Sequence, residues 1–321
     1  MISVIITGYD DRSDGPSIFT KTLSHGLKSH YQVCNIRSKF STSDLLNLIR
    51  SDIVFLSSHN LMPLLIVLIT FFLPKKKVIS IIHGGGDLLG GGFLLRALIK
   101  VNYYILLNFV SDVIFVSKFQ MNKFVSSEKQ HDKALNYHVI PNCVEPSLHQ
   151  FNVPLNKQKL IIYAGGESFI KGRCILDEII EKIGMNSFFE GYKLLAINMK
   201  GNESYRVGFL NVELRKKVEH PEFLELLSNS ELFLSLSLEE TFGIACLESY
   251  ILKNKIVCFK SCGFLDYVNN SNVQIIRNYT ANDFYQGVVL ATSNEFMIVS
   301  DDFEQHTSQK FISRYREVIE G

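Results

Sequence analysis

Short apolar runs alternate with helix-length stretches along this chain, and no other feature constrains its fold as tightly. The segments ISVIITG (2–8), YQVCNI (31–36), DIVFLSS (52–58), KKVISIIHG (76–84), DVIFVS (112–117) and YHVIPN (137–142) read as strands. Helical stretches separate them: IFTKTLSHGLKSH, SDLLNLIRS, a segment from Leu61, one from Leu94 to Val110, and KFQMNKFVSS. Buried strands divided by helices imply a parallel sheet with helices on both faces. The polar stretch CVEPSLHQFNVPLNKQK, with Pro146 and Pro154, interrupts this pattern and reads as a linker. The pattern then restarts with LIIYAGG, CILDEIIEKI, YKLLAIN, YRVGFLN, HPEFLELLSNS, ELFLSLS, FGIACLESYIL and KIVCF. The last stretch, TSQKFISRYREVIE, is amphipathic, with Phe311, Ile312, Tyr315, Val318 and Ile319 on one stripe. The expected class is α/β, with two doubly wound Rossmann-like domains. Residues 1–145 form the first, 146–158 the linker, 159–305 the second, and 306–321 a C-terminal amphipathic helix. Ligands of such sheets bind beyond the carboxyl ends of strands, so a cleft between two facing domains is the expected site.

Composition narrows the partners. The 321 residues carry 33 Lys+Arg and 32 Asp+Glu, a net charge of +1. Residues 1–150 hold 15 basic and 10 acidic side chains, and residues 151–321 hold 18 and 22, so the two parts stand at +5 and −4. The basic part is too mildly charged, and too poor in clustered arginine, for a nucleic-acid partner. The six cysteines, Cys34, Cys143, Cys174, Cys246, Cys258 and Cys262, lack the spacing of a zinc site and read as reduced thiols of a cytosolic protein. No basic region precedes the apolar start MISVIITGYD, so no signal peptide is expected. No run reaches the roughly 18 apolar residues of a membrane-spanning helix. The stretch LMPLLIVLITFFLPKKK, Leu61 to Lys77, comes nearest. It fits a buried core helix, and equally a helix in a membrane interface with Lys75, Lys76 and Lys77 on anionic head groups.

Several strand ends carry small residues where a ligand would sit. DGPS, Asp14 to Ser17, precedes a helix, and Gly15 there suits either an anion site or a tight turn. His83 ends a strand before GGGDLLGGG, where six of nine residues are glycine. A lone histidine is often structural, but its place at a strand end favours the site. AGGESFIKG, Ala164 to Gly172, carries Lys171 just before a helix; a cation there opposes the helix dipole unless an anion binds between them. The most specific stretch is SLEETFGIACLESYIL, Ser237 to Leu252. Thr241 is the expected N-cap, with Gly243 in the first turn, and backbone N–H groups there suit a phosphate. Glu248 falls within the apolar stripe of Ile244, Leu247 and Ile251, where a carboxylate needs a partner. Glu239 reads as a solvated loop residue. Phosphates at a helix end, with Glu240 and Glu248 gripping hydroxyls on either side, describe a nucleotide-sugar site.

The run Glu240-Thr-Phe-Gly-Ile-Ala-Cys-Leu-Glu248 resembles the E-x7-E motif of retaining glycosyltransferases of family 4, usually E-G-F-G-x-x-x-x-E. Six further segments match the same family in order: DGPSIFTKTL, IIHGG, VSKFQMNKF, VIPNCVE, YAGGESFIKG and SCGFLDYV. The resemblance implies a GT-B fold, with a nucleotide-diphosphate sugar on the C-terminal domain and the acceptor on the N-terminal one. It implies that Glu248 holds the ribose hydroxyls and Glu240 the donor sugar. Phe242, Gly243 and Ile244 would meet sugar or phosphate through backbone N–H groups. Lys171 would neutralise the departing diphosphate, His83 would lie by the reacting sugar or acceptor, and Gly15 would approach the phosphates. No cofactor or metal is implied; the nucleotide sugar is a substrate. The family's arginine, five residues before the lysine, falls at Gly166, and Arg173 is the expected substitute. Asp14 and Asp266 are further departures.

Relatives of this kind act on lipid-linked saccharides in bacterial surface polysaccharide synthesis (O-antigen, capsule or lipopolysaccharide). The chain is therefore expected in the cytoplasm, peripheral to the inner face of the membrane. Two alternatives stand beside the transferase: a non-catalytic GT-B subunit that binds a partner enzyme, motivated by Gly166, and a GT-B sugar-nucleotide epimerase.

Overall fold

A computed structural model describes residues 2–7, 15–36, 40–57, 61–73, 76–83, 107–127, 135–144, 148, 151, 153–154, 156–268, 272–294 and 303–321. The chain divides into two compact units. Unit 1 comprises Met1–Cys143 and Glu304–Gly321, and unit 2 comprises Val144–Phe303.

Unit 1 is built on β1 (Ser3–Thr7), β2 (Gln32–Ile36), β3 (Ile53–Leu56), β4 (Lys77–Ile82), β5 (Asp112–Phe115) and β6 (Asn136–Val139). All pairs are parallel, in the order β2-β1-β3-β4-β5-β6. The apolar runs are continuous because alternate residues enter different cores. Ile6, Phe55, Ile79 and Ile81 face one cluster, which holds Phe19, Leu23 and Leu27 of α1 (Gly15–Leu27). Ile5, Val54, Leu56 and Val78 face the other, which holds Leu48 of α2 (Thr42–Arg50) and Ile66 and Val67 of α3 (Leu61–Phe71). Ser41 and Asp44 close a capping box that starts α2. Next along the chain is α4 (Lys118–Ser127). Of the expected Leu94–Val110 helix, residues 107–109 are helical and 94–106 lie outside the described residues.

Unit 2 is built on β7 (Gln158–Tyr163), β8 (Lys193–Ala196), β9 (Glu203–Val207), β10 (Leu210–Leu214), β11 (Ser230–Ser235), β12 (Lys255–Phe259) and β13 (Val273–Ile276). Their order is β13-β12-β11-β7-β8-β10-β9. The helices are α5 (Arg173–Gly184), α6 (His220–Asn229), α7 (Ile244–Ile251) and α8 (Ala281–Ser293). YRVGFLN, expected as a single strand, is instead part of an antiparallel hairpin. Gly208 at φ +52° opens its two-residue turn, a backbone that non-glycine residues rarely adopt. The sheet is therefore mixed, with β9 antiparallel at its edge. The pair β13 and α8 goes beyond the elements read from the sequence.

The C-terminal helix α9 (Ser308–Glu320) belongs to unit 1. Its stripe residues Phe311, Ile312, Tyr315, Val318 and Ile319 are all buried. It approaches α1 closely at Gly26, where an added Cβ would meet Ile312 at 2.3 Å. Lys77 Nζ donates to Val318 O at 2.6 Å near the end of α9, and Lys76 Nζ donates to Ile49 O and Ser51 O at the end of α2. Cations suit such carbonyl-rich helix ends. Two of the three lysines expected at a membrane surface are thus engaged within the fold, and Lys75 lies outside the described residues.

Candidate functional site

In unit 2 the strand order reverses at β7, with β8 on one side and β11 on the other. Such a reversal opens a crevice at the carboxyl ends of the strands. Two loops meet there. The loop after β7 folds over Tyr163, whose hydroxyl donates to Gly166 O at 3.0 Å and Lys171 O at 3.2 Å. Gly172, the N-cap of α5, has φ +89°, and a Cβ there would lie 2.2 Å from Leu236 O. Only glycine permits this approach, and Leu238 N–H donates to Ile170 O at 2.8 Å beside it. The first loop is thereby seated on the loop that follows β11.

This seating brings two of the expected site residues together. Lys171 Nζ pairs with Glu240 Oε2, and Ser237 Oγ donates to the same oxygen at 3.2 Å. The Glu240 backbone is fixed on its other side: its N–H donates to Ser261 O, and its carbonyl accepts from Gly263 N–H, both at 2.9 Å. Glu240 is therefore anchored to the loop after β12 while its carboxylate meets Lys171.

The expected cap at Thr241 is corrected. The N-cap of α7 is Gly243, at φ +89° and without a side-chain cap bond. A Cβ on Gly243 would lie 3.0 Å from Cys262 Sγ and 3.1 Å from Glu240 Cγ. The bridge between Glu240 and Cys262 holds the preceding residues in the loop, so the helix starts at Ile244. Thr241 is half-buried in that loop. Phe242 is buried with its ring 5.7 Å from that of Tyr267. Glu239 is half-buried rather than solvated.

Glu248 lies on α7 and is 4% exposed, as its place in the apolar stripe implied. The sequence did not reveal its partner. His220, the first residue of α6, puts Nε2 2.8 Å from Glu248 Oε1. One signal was available: a buried carboxylate needs a donor, and the chain has nine histidines. Spacing alone does not select among them. Arg173 turns onto its own helix, with Nη1 2.7 Å from Asp177 and Nε 3.4 Å from Glu167. The Asp177 carboxylate holds its guanidinium above the usual range, helped by Glu167.

Two expected residues belong to unit 1, where β1 is the strand at which the order reverses. His83 follows β4, with Nε2 2.8 Å from Ser57 Oγ. Ser57 N–H donates to Thr7 Oγ1 at 3.1 Å, and the ring of Phe19 packs edge-on to His83 at 4.3 Å. His83 thus stands at the carboxyl ends of β1, β3 and β4. Gly15 opens α1, while Asp14 and the glycines after His83 lie outside the described residues. Among the described residues, no group of three or more His, Cys, Asp or Glu side chains could hold a metal ion.

Two Rossmann-like units, one parallel and one mixed with a single antiparallel edge strand, each with polar residues at its strand-order reversal, make a GT-B-like architecture. Several solved structures are similar to this chain. A crystal structure of Anabaena Alr3699/HepE in complex with UDP and glucose matches at a TM-score of 0.70, with 11% identity over 100% of both chains. An α,α-trehalose-phosphate synthase (UDP-forming) from Burkholderia xenovorans matches at 0.69, with 9% identity, covering 99% of this chain and 100% of the other. WaaG, a glycosyltransferase involved in lipopolysaccharide biosynthesis, matches at 0.63, with 12% identity over 99% and 95%. At such identities the likeness is one of fold. No family model matches the chain, and no curated protein sequence does.

Proposed function

We propose that the protein is a retaining glycosyltransferase that moves a sugar from a nucleotide-diphosphate sugar to a saccharide acceptor. One observation carries the reading: Lys171 and Glu240 pair at the strand-order reversal of unit 2, with buried Glu248 eight residues further on. In this reading Glu248 accepts from the ribose hydroxyls and Glu240 from the donor sugar. The backbone of Phe242, Gly243 and Ile244 offers N–H groups to sugar or phosphate at the positive end of α7.

The Lys171–Glu240 pair suits exchange with a ligand. Its side chains are 40% and 22% exposed. Pairs this open are worth about 0–1 kcal/mol, so a diphosphate can draw the ammonium away at little cost. Lys171 then neutralises the charge that grows on the leaving group, which is the main electrostatic task of the transfer. His83 in unit 1 borders the reacting sugar or the acceptor, and Ser57 sets the direction of its ring.

The acceptor in this proposal is a lipid-linked saccharide of bacterial surface polysaccharide synthesis, met at the inner face of the cytoplasmic membrane. An exposed apolar surface supports that part. Leu46 and Ile49 of α2, and Leu65, Leu68, Phe71 and Phe72 on and beside α3, are all at least 45% exposed. Both helices cover the same face of the unit 1 sheet. No helix among the described residues is long and apolar enough to cross a membrane. The contact is then apolar and interfacial, and replacing Phe71 and Phe72 by serine abolishes binding to anionic vesicles. Unchanged vesicle binding removes the membrane part alone.

Steady-state kinetics of the purified chain test the transferase reading. Glu248→Ala loses donor affinity, and Lys171→Ala lowers kcat by about 10²–10³. Full activity in both variants sinks the assignment. An anomeric proton signal showing inversion in the product removes the retaining mechanism.

A further inference from the structure

We infer that His220 is a positioning residue for the ribose end of the donor site, and that selectivity for ribose over 2′-deoxyribose depends on it. The inference rests on the reading of Glu248 as the carboxylate that grips the ribose.

An ionised carboxylate only accepts hydrogen bonds, so Nε2 of His220 carries the proton and donates to Oε1 of Glu248 across 2.8 Å. That bond does two things. It gives a hydrogen bond to a carboxylate whose side chain is 6% exposed, and a buried carboxylate needs such bonds. It also sets the plane of the carboxylate. Two neighbouring hydroxyls can share one carboxylate only when its lone pairs point at both, so the orientation of that plane decides whether the second hydroxyl is held.

The donor is held in place from both ends of its helix. His220 follows Glu219, the N-cap, and precedes Pro221, which fixes the first turn of α6. At the other end, Lys157 Nζ donates to Ser228 O at 2.5 Å, Leu252 O at 2.8 Å and Asn254 Oδ1 at 3.1 Å. Its ammonium thus ties the C-terminal ends of α6 and α7, the helices that carry His220 and Glu248. The imidazole is 29% exposed, against 6% for the carboxylate side chain. In this reading the arrangement is a braced hydrogen-bond donor to the acid that grips the ribose.

Calorimetric titration tests this on the full chain, with UDP, GDP and ADP, each beside its 2′-deoxy counterpart. Wild type is expected to bind one of the ribonucleotides and to prefer it over its deoxy form by about tenfold or more. Glu248→Ala erases that preference. His220→Ala, and His220→Phe, which keeps a ring but lacks the donor, weaken the ribonucleotide about tenfold and leave the deoxynucleotide unchanged. His220→Gln, whose amide can donate to Oε1, keeps the preference within about threefold of wild type. A role limited to folding would weaken both nucleotides alike. If His220→Phe keeps the full preference while Glu248→Ala loses it, the inference on His220 fails and the reading of Glu248 stands. If wild type binds none of the nucleotides, shows no preference, or Glu248→Ala changes nothing, the reading of Glu248 fails and the inference with it.

Discussion

Gly166→Arg puts an arginine where the family motif carries one, and it should weaken the fold rather than speed the reaction. Gly166 has φ +60°, and a Cβ built on it lies 2.6 Å from Asn198 O and 2.9 Å from Asn198 Cβ. The obstacle cannot swing aside. Asn198 is itself at φ +68°, and its Nδ2 donates to Ala164 O at 3.0 Å. A side chain in the left-handed region costs about 1–2 kcal/mol. Forcing it into a packed backbone costs about 1–3 kcal/mol more. The expected loss is therefore about 2–5 kcal/mol, a large share of the roughly 5–15 kcal/mol that holds a typical domain together. Urea unfolding followed by circular dichroism measures it, with Gly166→Ala beside the arginine variant to separate the Cβ from the guanidinium. Both variants should unfold at lower urea, and Gly166→Arg should not raise kcat. If Gly166→Arg stays within about 0.5 kcal/mol of wild type, as neutral surface changes do, the account of this loop is wrong.

Three other outcomes follow from the same contacts. Tyr163→Phe removes the donor shared by Gly166 O and Lys171 O, and urea unfolding should show a loss of about 1–3 kcal/mol, with a lower kcat because the loop holding Lys171 loosens. Lys157→Met leaves the carbonyls of Ser228 and Leu252 without that donor, and the melting curve should report a loss of about 1.5–3 kcal/mol. Burial pushes the Cys143 thiol up to about 11, so at pH 8 only about one part in a thousand is thiolate. Mass spectrometry after iodoacetamide should find exposed Cys174 labelled at pH 8 and half-buried Cys143 labelled only as the pH approaches 11; early labelling of Cys143 would contradict its upward shift.

What the sequence revealed, and what it hid, follows from the range of each interaction. Periodicity within one element is local, so the parallel strands, the α9 stripe and the inward place of Glu248 could all be read in advance. Backbone conformation in loops is less accessible. A threonine at position 241 looks like a cap, yet the cap is Gly243, because the bridge to Cys262 decides where the helix begins. The hairpin at Gly208 was read as one strand for a similar reason. A single glycine inside an apolar run signals a bend only once its φ is known. The pairing of His220 with Glu248 was hidden most deeply. The two are 28 residues apart, and only the packing of α6 against α7 brings them together.

The site residues also differ in how firmly their charges are held, and this bears on their division of labour. Lys171 and Glu240 neutralise each other in a partly open pair, whereas Glu248 is buried and bonded to a braced imidazole. An exposed pair exchanges partners at small cost, but breaking a bond to a buried carboxylate leaves an unsatisfied charge. Under the proposed function, the lysine therefore changes partner during each turnover, from Glu240 to the departing diphosphate and back. Glu248 instead keeps His220 throughout while it holds the ligand. In that reading the two glutamates of one short motif serve as an exchangeable counterion and a fixed clamp. That difference arises from burial, which the spacing between them does not encode.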